Sequence, residues 1–371
     1  MSVVPGGGGM RSAPQAESAP GAAARTTPLV VQYLYVHGPE ERVLYPSSRS
    51  HSGSGRLAAR YLECVLVQAA SLRLRRAECS LVLVTNLLDR SSLSRRARRL
   101  LDEVESLEVA IVQADYLHRP AGEVSRFPSS RYVLDAILAV SDGAANRQLW
   151  LMDVDCIWLD PAKVFAAAPA SPAIGCLYIG YPPDWAVSGV TPRALGQLAT
   201  RLGAADASIR WVGGELLTGT AADLRRLVSR CEELERELAA DGEALATEEH
   251  VLSLAGALDR VEFRDLSSSA RRIWTGPRHD APGVSDPASL GLFHLPSEKG
   301  LSFRRAAHAI TSGHAERLLR DLEVPSRALK RFNVHGAGRA RRVRDDTWLA
   351  GQRFGDAMRR LPPSGEGGSS G

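Results

Sequence analysis

The sequence predicts an α/β protein built on a mostly parallel sheet flanked by helices, with a helical extension at its carboxyl end. Short β-branched apolar runs alternate with longer segments of helical apolar spacing over residues 29–113. The most apolar run, Leu149 to Met152, ends in Asp153-Val154-Asp155 and resumes as Cys156 to Leu159. This is the pattern of a buried strand that delivers charge at its carboxyl end. With 371 residues, 44% of them apolar, the chain is long enough to bury a large core.

Residues 1–28 are Gly, Ala, Ser and Pro with almost no large apolar group, and this composition predicts a disordered tail. Leu29 to Val36 reads as a first strand, with Tyr35 and His37 at its carboxyl end, where open α/β sheets place nucleotides. A polar loop through Tyr45 to Arg49 and His51 follows it. Residues 55–76 form a helix closing on Arg73, Arg75 and Arg76, and Leu81 to Thr85 a short buried strand. Ser91 to Val104 is an amphipathic helix whose arginines, Arg95, Arg96, Arg98 and Arg99, make a solvated face. Glu108 to Gln113 is a third strand, and a Pro/Gly/Arg loop from Tyr116 to Ser130 leads to a helix over Arg131 to Val140. Beyond the acidic strand come helices at Ala221 to Val228 and across the charged stretch from Glu232, then one capped by Thr247 with Glu248 and Glu249 in its first turn. A Pro/Gly loop runs from Ile273 to Asp286, helices fill 304–331, a basic run spans Arg339 to Arg344, and Leu361 to Gly371 is again a disordered tail. The organisation is thus a main domain over 29–303, a helical extension over 304–360, and two tails.

The net charge is +4, and lysine occurs only at Lys163, Lys299 and Lys330, the remaining positive charge being arginine. Without clustering in an aromatic or motif context, this basicity does not indicate a nucleic-acid partner. Five scattered cysteines without C-x-x-C spacing fit a reducing, cytoplasmic setting rather than a disulfide frame or zinc site. No apolar run reaches the ~18 residues a membrane span needs. Oligomeric state leaves no trace in the sequence.

Asp153 and Asp155 are two residues apart, so an extended chain turns them to one side and Val154 to the core. Paired carboxylates need a cation or a shared proton between them. A divalent cation between carboxylates and a diphosphate is the common way to hold and neutralise a phosphate leaving group. Arg131, near the start of its helix, is a candidate partner for the phosphate or base of such a ligand.

An Arg-bearing helix, an apolar strand ending in Asp153-Val154-Asp155, and Asp160-Pro161 together resemble the GT-A-fold glycosyltransferases, which use nucleotide-diphosphate sugars. Ile209 to Gly219 resembles their acceptor-side segment, with Gly213 and Gly214 letting backbone approach the donor sugar and Glu215 following. Leu290 to Gly300 is similar to the late His-to-Lys motif of the glycogenin-like members. Here His294 and Lys299 stand one residue closer together, and no tryptophan follows the lysine. The resemblance covers about Pro28 to Phe303. It implies a Rossmann-like GT-A sheet and a hexosyltransferase-type activity dependent on Mn2+ or Mg2+. Asp153 would contact the ribose or the metal, Asp155 and His294 would bind the metal, and Lys299 would bind the diphosphate. Glu248 or Glu249 would take the acceptor proton in an inverting enzyme, which a retaining one does not require. The partners implied are a nucleotide-diphosphate sugar donor and a small-molecule or glycan acceptor, the latter met by the Tyr181 to Arg193 loop.

Two rival readings attach to the same residues. In a HAD-type phosphatase Asp153 would be the nucleophile and Asp155 the acid, with Asp345-Asp346 as the late acidic pair. A non-catalytic nucleotide-sugar-binding protein would keep the fold without needing Asp153, Asp155 and His294 together.

Overall fold

The computed structural model describes residues 27–37, 54–87, 89–120, 129–142, 146–273, 275 and 289–334. The polar loop through Tyr45 to His51, the loop from Gly276 to Asp286, the Arg339 to Arg344 run, Asp345-Asp346 and nearly all of the two expected tails lie outside these residues.

The elements follow the expected alternation. Strand β1 (Leu29–Leu34) leads to α1 (Ser54–Leu74), β2 (Ser80–Thr85), α2 (Arg95–Ser106), β3 (Val109–Gln113), α3 (Tyr132–Ser141) and β4 (Gln148–Met152). The chain continues through β5 (Cys156–Trp158), α4 (Pro161–Ala166), β6 (Ile174–Ile179), α5 (Pro192–Arg201), β7 (Trp211–Thr220), α6 (Ala221–Ala240) and α7 (Glu248–Ala257). It ends in β8 (Phe263–Asp265), β9 (Ala270–Arg272), β10 (Leu292–His294), α8 (Ser302–Thr311), α9 (Ala315–Glu323) and α10 (Pro325–Arg331). The two helices expected after residue 220 are one continuous α6, because Leu224, Leu227, Cys231, Leu234 and Leu238 form a single buried stripe along it.

Seven strands make the main sheet in the order β3-β2-β1-β4-β7-β6-β8, in which β7 alone runs against the others. The mostly parallel α/β sheet flanked by helices is therefore the observed class. Alternation along β1 separates two cores. Val30 and Leu34 face one built with α1 and α2, whereas Leu29, Val31 and Tyr33 face one built with α3, α6 and α7. The carboxyl-terminal helices extend the first of these cores: Phe303, Leu318, Leu322 and Phe332 are buried in it, and α8 packs on α1.

The acidic strand departs from the simple extended reading. After Met152 the chain turns, and Cys156–Trp158 enters a second sheet of order β5-β10-β9. Val154 is buried as expected, but the two aspartates sit in the turn joining the sheets. Strand β10 pairs His294 with Cys156 on one side and with Arg272 of β9 on the other. The small sheet thereby sets His294 and Arg272 side by side on neighbouring strands.

Candidate active site

The turn after β4 is anchored through its backbone. Asp153 N–H donates to the Glu215 carbonyl at 3.0 Å, and Leu295 N–H to the Asp155 carbonyl at 3.0 Å. Gln68 of α1 donates through Nε2 to the Asp153 carbonyl at 3.2 Å and accepts from Gln32 of β1. With its backbone held on three sides, the turn directs both carboxylates at one imidazole. His294 Nε2 stands 3.3 Å from Asp153 Oδ2 and 3.2 Å from Asp155 Oδ2, and the ligand atoms of the three residues lie within 4.8 Å of one another. Asp155 is fully buried, His294 nearly so, and the Asp153 side chain remains 35% exposed, which leaves the cluster open on one side. Lys299 Nζ lies 2.7 Å from Asp155 Oδ2 and 5.5 Å from the centre of the Tyr61 ring.

Neither Asp155 oxygen and neither His294 nitrogen has a partner in proper hydrogen-bond geometry, although all are shut off from solvent. Buried polar atoms of this kind require an explanation. Two carboxylates and an imidazole are a suitable donor set for a hard or borderline divalent cation. Among the described residues this is the only such group of three. Burial would raise the Asp155 carboxyl, but Lys299 and His294 hold it well below the usual carboxylate range. Burial favours neutral His294, and Asp155, with Asp153 and Glu215, outweighs it and keeps the ring well above its ordinary value.

Behind the imidazole lies a second charged cluster. Glu215 Oε1 stands 3.6 Å from His294 Nδ1, and the same carboxylate takes a forked ion pair from Arg272, through Nε at 2.8 Å and through Nη2. Arg272 Nη2 also pairs with Glu249, while its Nη1 donates to the Tyr181 hydroxyl at 3.0 Å. Trp211 Nε1 completes Glu249 at 2.8 Å. Against burial, which pushes it up, Arg272 and His294 hold Glu215 down to about 2. Glu215 and Glu249, expected beside the donor and acceptor, are thus both committed to Arg272. Among the described residues Glu248 has no such cation. It is buried, its Oε2 lacks a partner, and burial together with neighbouring Glu249 pushes its carboxyl up to about 8. Thr247 occupies the cap position of α7 but its hydroxyl makes no capping bond and is unpartnered.

The glycine pair has a packing role within the cluster. A β-carbon at Gly213 would lie 2.2 Å from Glu215 Oε2, and one at Gly214 would lie 2.1 Å from Glu248 Oε1. Both glycines make room for the protein's own carboxylates. The register between β6 and β7 also slips here: Gly213 pairs with Leu177 and Leu217 with Cys176. Gly214, Glu215 and Leu216 therefore have no partner on β6, and such a bulge re-aims side chains beside a site.

Arg131 stands at the start of α3. It is buried, pairs with Glu235 and donates to the Leu245 carbonyl, so it ties the start of α3 to α6 and the segment before α7. Its Nη1 and Nη2 thus have protein partners, while its buried Nε has none. Tyr35 and His37 do lie just beyond the end of β1. Tyr35 packs against His37, Tyr116 and Tyr132 with centroid separations of 4.9, 4.9 and 5.4 Å, and Arg119 donates to its hydroxyl at 2.7 Å. His37 Nε2 meets Ser129 Oγ at 3.1 Å.

Sequence reading missed Gln32, Gln68, Tyr33 and Arg272. The glutamines carried a signal, being amides in otherwise apolar stretches of β1 and α1. Tyr33 donates to the Gly214 carbonyl at 3.1 Å, a contact across 181 residues with no local signature. Arg272 is one arginine among many in this chain, and nothing in its neighbourhood marks it.

These features define an α/β protein with an Asp-Asp-His donor set at the junction of its two sheets. No family model matches the chain, and no curated protein matches it. Among solved structures it is similar to an active-site mutant of LgtC, at 12% identity and a TM-score of 0.44, covering 72% of this chain and 86% of that one. It is also similar to the galactosyltransferase LgtC in complex with donor and acceptor sugar analogues, at 12% identity and a TM-score of 0.42, covering 80% and 95%.

Proposed function

We propose that this chain is a divalent-metal-dependent glycosyltransferase of GT-A type, moving a hexosyl group from a nucleotide-diphosphate donor to an acceptor hydroxyl or amine. One observation carries the reading: Asp153, Asp155 and His294 converge at the carboxyl end of β4 with Lys299 against them. Bound by these three residues, Mn2+ or Mg2+ would supply Lewis-acid neutralisation of the departing diphosphate. Lys299 adds a positive charge for the diphosphate, and its contact with Asp155 keeps it at the site. Glu215 faces the ring of His294 on the side away from the aspartates and, fixed by Arg272, orients it. Glu248, the carboxylate of the inner cluster not held by Arg272, is the group suited to exchange a proton with the acceptor, since its raised value lies near neutral pH. Tyr35 and His37 would form the floor for the base. The loop from Tyr181 to Arg193, bound to the cluster through Tyr181 and with Trp185 44% exposed, would meet the acceptor. A cytoplasmic setting belongs to the same reading and fits five buried, unbridged cysteines. No helix among the described residues is long and apolar enough to cross a membrane.

The test is calorimetric titration with UDP, GDP and dTDP, each with and without Mn2+, on wild type and on Asp155→Asn. The expected result is binding of one nucleoside diphosphate that needs the cation and is lost in the variant. Failure of all three to bind, together with phosphate release from an aryl phosphate, would favour the phosphatase reading.

A further inference from the structure

Glu298 is a carboxylate with no measurable exposure, in a short 3-10 turn over Pro296–Glu298, one residue before Lys299. Partners reach it from three other segments among the described residues. Thr275, beyond β9, donates to Oε1; Ser302, at the start of α8, donates to Oε2; and Asn333, just after α10, donates through Nδ2 to Oε2 at 2.9 Å. Asn333 Nδ2 also reaches Ser302 Oγ at 3.0 Å.

Asn333 is held in place to do this. Its φ is +54°, a left-handed conformation that asparagine tolerates better than most residues. Phe332 before it is fully buried against Phe303 with ring centres 5.5 Å apart, and Val334 N–H after it donates to the Leu329 carbonyl at 2.8 Å. A buried carboxylate keeps its position only while its donors are satisfied. The end of the extension is therefore coupled, through the Asn333 amide, to the turn that carries Lys299.

We propose that Asn333 and Glu298 are positioning residues for Lys299, and that the carboxyl-terminal extension is thereby a working part of the diphosphate site rather than an appendage. The role of Lys299 in binding diphosphate rests on the transferase reading above; its placement by this strut does not. The turn is short, so a change at Glu298 is transmitted directly to the adjacent lysine. Displacements of about 1 Å at a working group can cost ~100-fold in rate.

The chain has only three lysines, so acetylation by an N-hydroxysuccinimide ester, followed by mass spectrometry, reads Lys299 directly with Lys163 as internal reference. Asn333→Gly keeps the left-handed backbone and removes only the amide. Asn333→Asp places a carboxylate against Glu298, and Asn333→Asp combined with Glu298→Gln restores a hydrogen bond of reversed polarity. The expected result is Lys299 acetylation about tenfold faster than wild type in both single variants, the size of one charge-assisted hydrogen bond, with Lys163 unchanged and the double variant returning towards wild type. In parallel, whichever of UDP, GDP and dTDP binds wild type should bind Asn333→Gly about tenfold more weakly, while the matching monophosphate binds within about twofold. Unchanged Lys299 labelling in folded Asn333→Gly would overturn the strut, as would equal acceleration at Lys163. Faster Lys299 labelling with unaltered diphosphate affinity would overturn the link to the donor site. If no nucleotide binds wild type, the transferase reading fails while labelling still decides the strut. Should a single variant not fold, the double variant decides, because the strut requires it to fold and to label at the wild-type rate.

Discussion

Replacing Gly214 by alanine tests whether β7 carries glycine at this point to make room for Glu248. The new β-carbon would lie 2.1 Å from Glu248 Oε1 and 2.7 Å from both Cδ and Cγ. The strand has little freedom to yield, since Leu216 pairs with Met152, Asp153 N–H binds the Glu215 carbonyl, and Tyr33 binds the carbonyl of Gly214 itself. Glu248 must therefore move within a packed interior, at the ~1–3 kcal/mol typical of overpacking. Removing glycine from a strand interior offsets this by ~0.5–1 kcal/mol, leaving a net loss of about 0.5–2 kcal/mol. In a Glu248→Ala background the obstacle is gone, so the same substitution should stabilise by ~0.5–1 kcal/mol. The sign of the effect inverts between backgrounds, with a coupling of about 1–3 kcal/mol, equal to the overpacking term and measurable by urea denaturation of the four members of the cycle. Equal destabilisation in both backgrounds would refute the packing argument, and stabilisation in wild type would show that Glu248 is not held where it is described.

Three further outcomes follow from the same geometry. Arg272→Met strips the cation from two buried carboxylates and should cost about 3–5 kcal/mol in urea denaturation, a large part of it recovered when Glu215→Gln is added. No recovery would mean that Glu249 alone carries the loss. Glu215→Gln by itself should weaken Mn2+ binding, measured by calorimetry with the metal alone, by ~10–100-fold, because Glu215 orients the imidazole of His294 without belonging to the donor set; an unchanged affinity would remove that role. His118 bridges Asp135, at 2.7 Å from Nδ1, and Glu232, at 3.0 Å from Nε2, and the Asp135 contact is the main cause of its raised pKa. Its stabilisation is fully present below the unfolded-state value of ~6.5 and is lost as pH rises through the folded value. The stability difference between wild type and His118→Gln should therefore shrink from pH 6 to pH 9; a difference that grows over that range would contradict the pair.

The elements of this fold were legible because each is a local pattern. The apolar β-branched runs at Leu29, Leu81 and Val109 and the helical stripes between them fall within a few residues of the observed strands and helices, and Asp153, Asp155 and His294 converge as their spacing and the resemblance implied. What the pattern did not reveal was partnership. Glu248 and Glu249 are adjacent and equivalent in sequence, yet Glu249 is ion-paired with Arg272 and hydrogen-bonded by Trp211 whereas Glu248 is left with a raised pKa. Arg131 and Arg272 are indistinguishable as letters; one braces two helices, and the other holds the carboxylates behind the Asp-Asp-His cluster.

Sequence by itself determined the α/β class, the apolar strand leading into two aspartates, and Lys299 as one of only three lysines, because backbone periodicity and residue chemistry act over a few residues. Only the tertiary structure decided that β4 turns into a second sheet, that β7 bulges to aim Glu215, and that Asn333 reaches back to Glu298. The charge state and role of a buried group depend on what lies within a few ångströms of it, and those neighbours come from segments tens to hundreds of residues away in the chain.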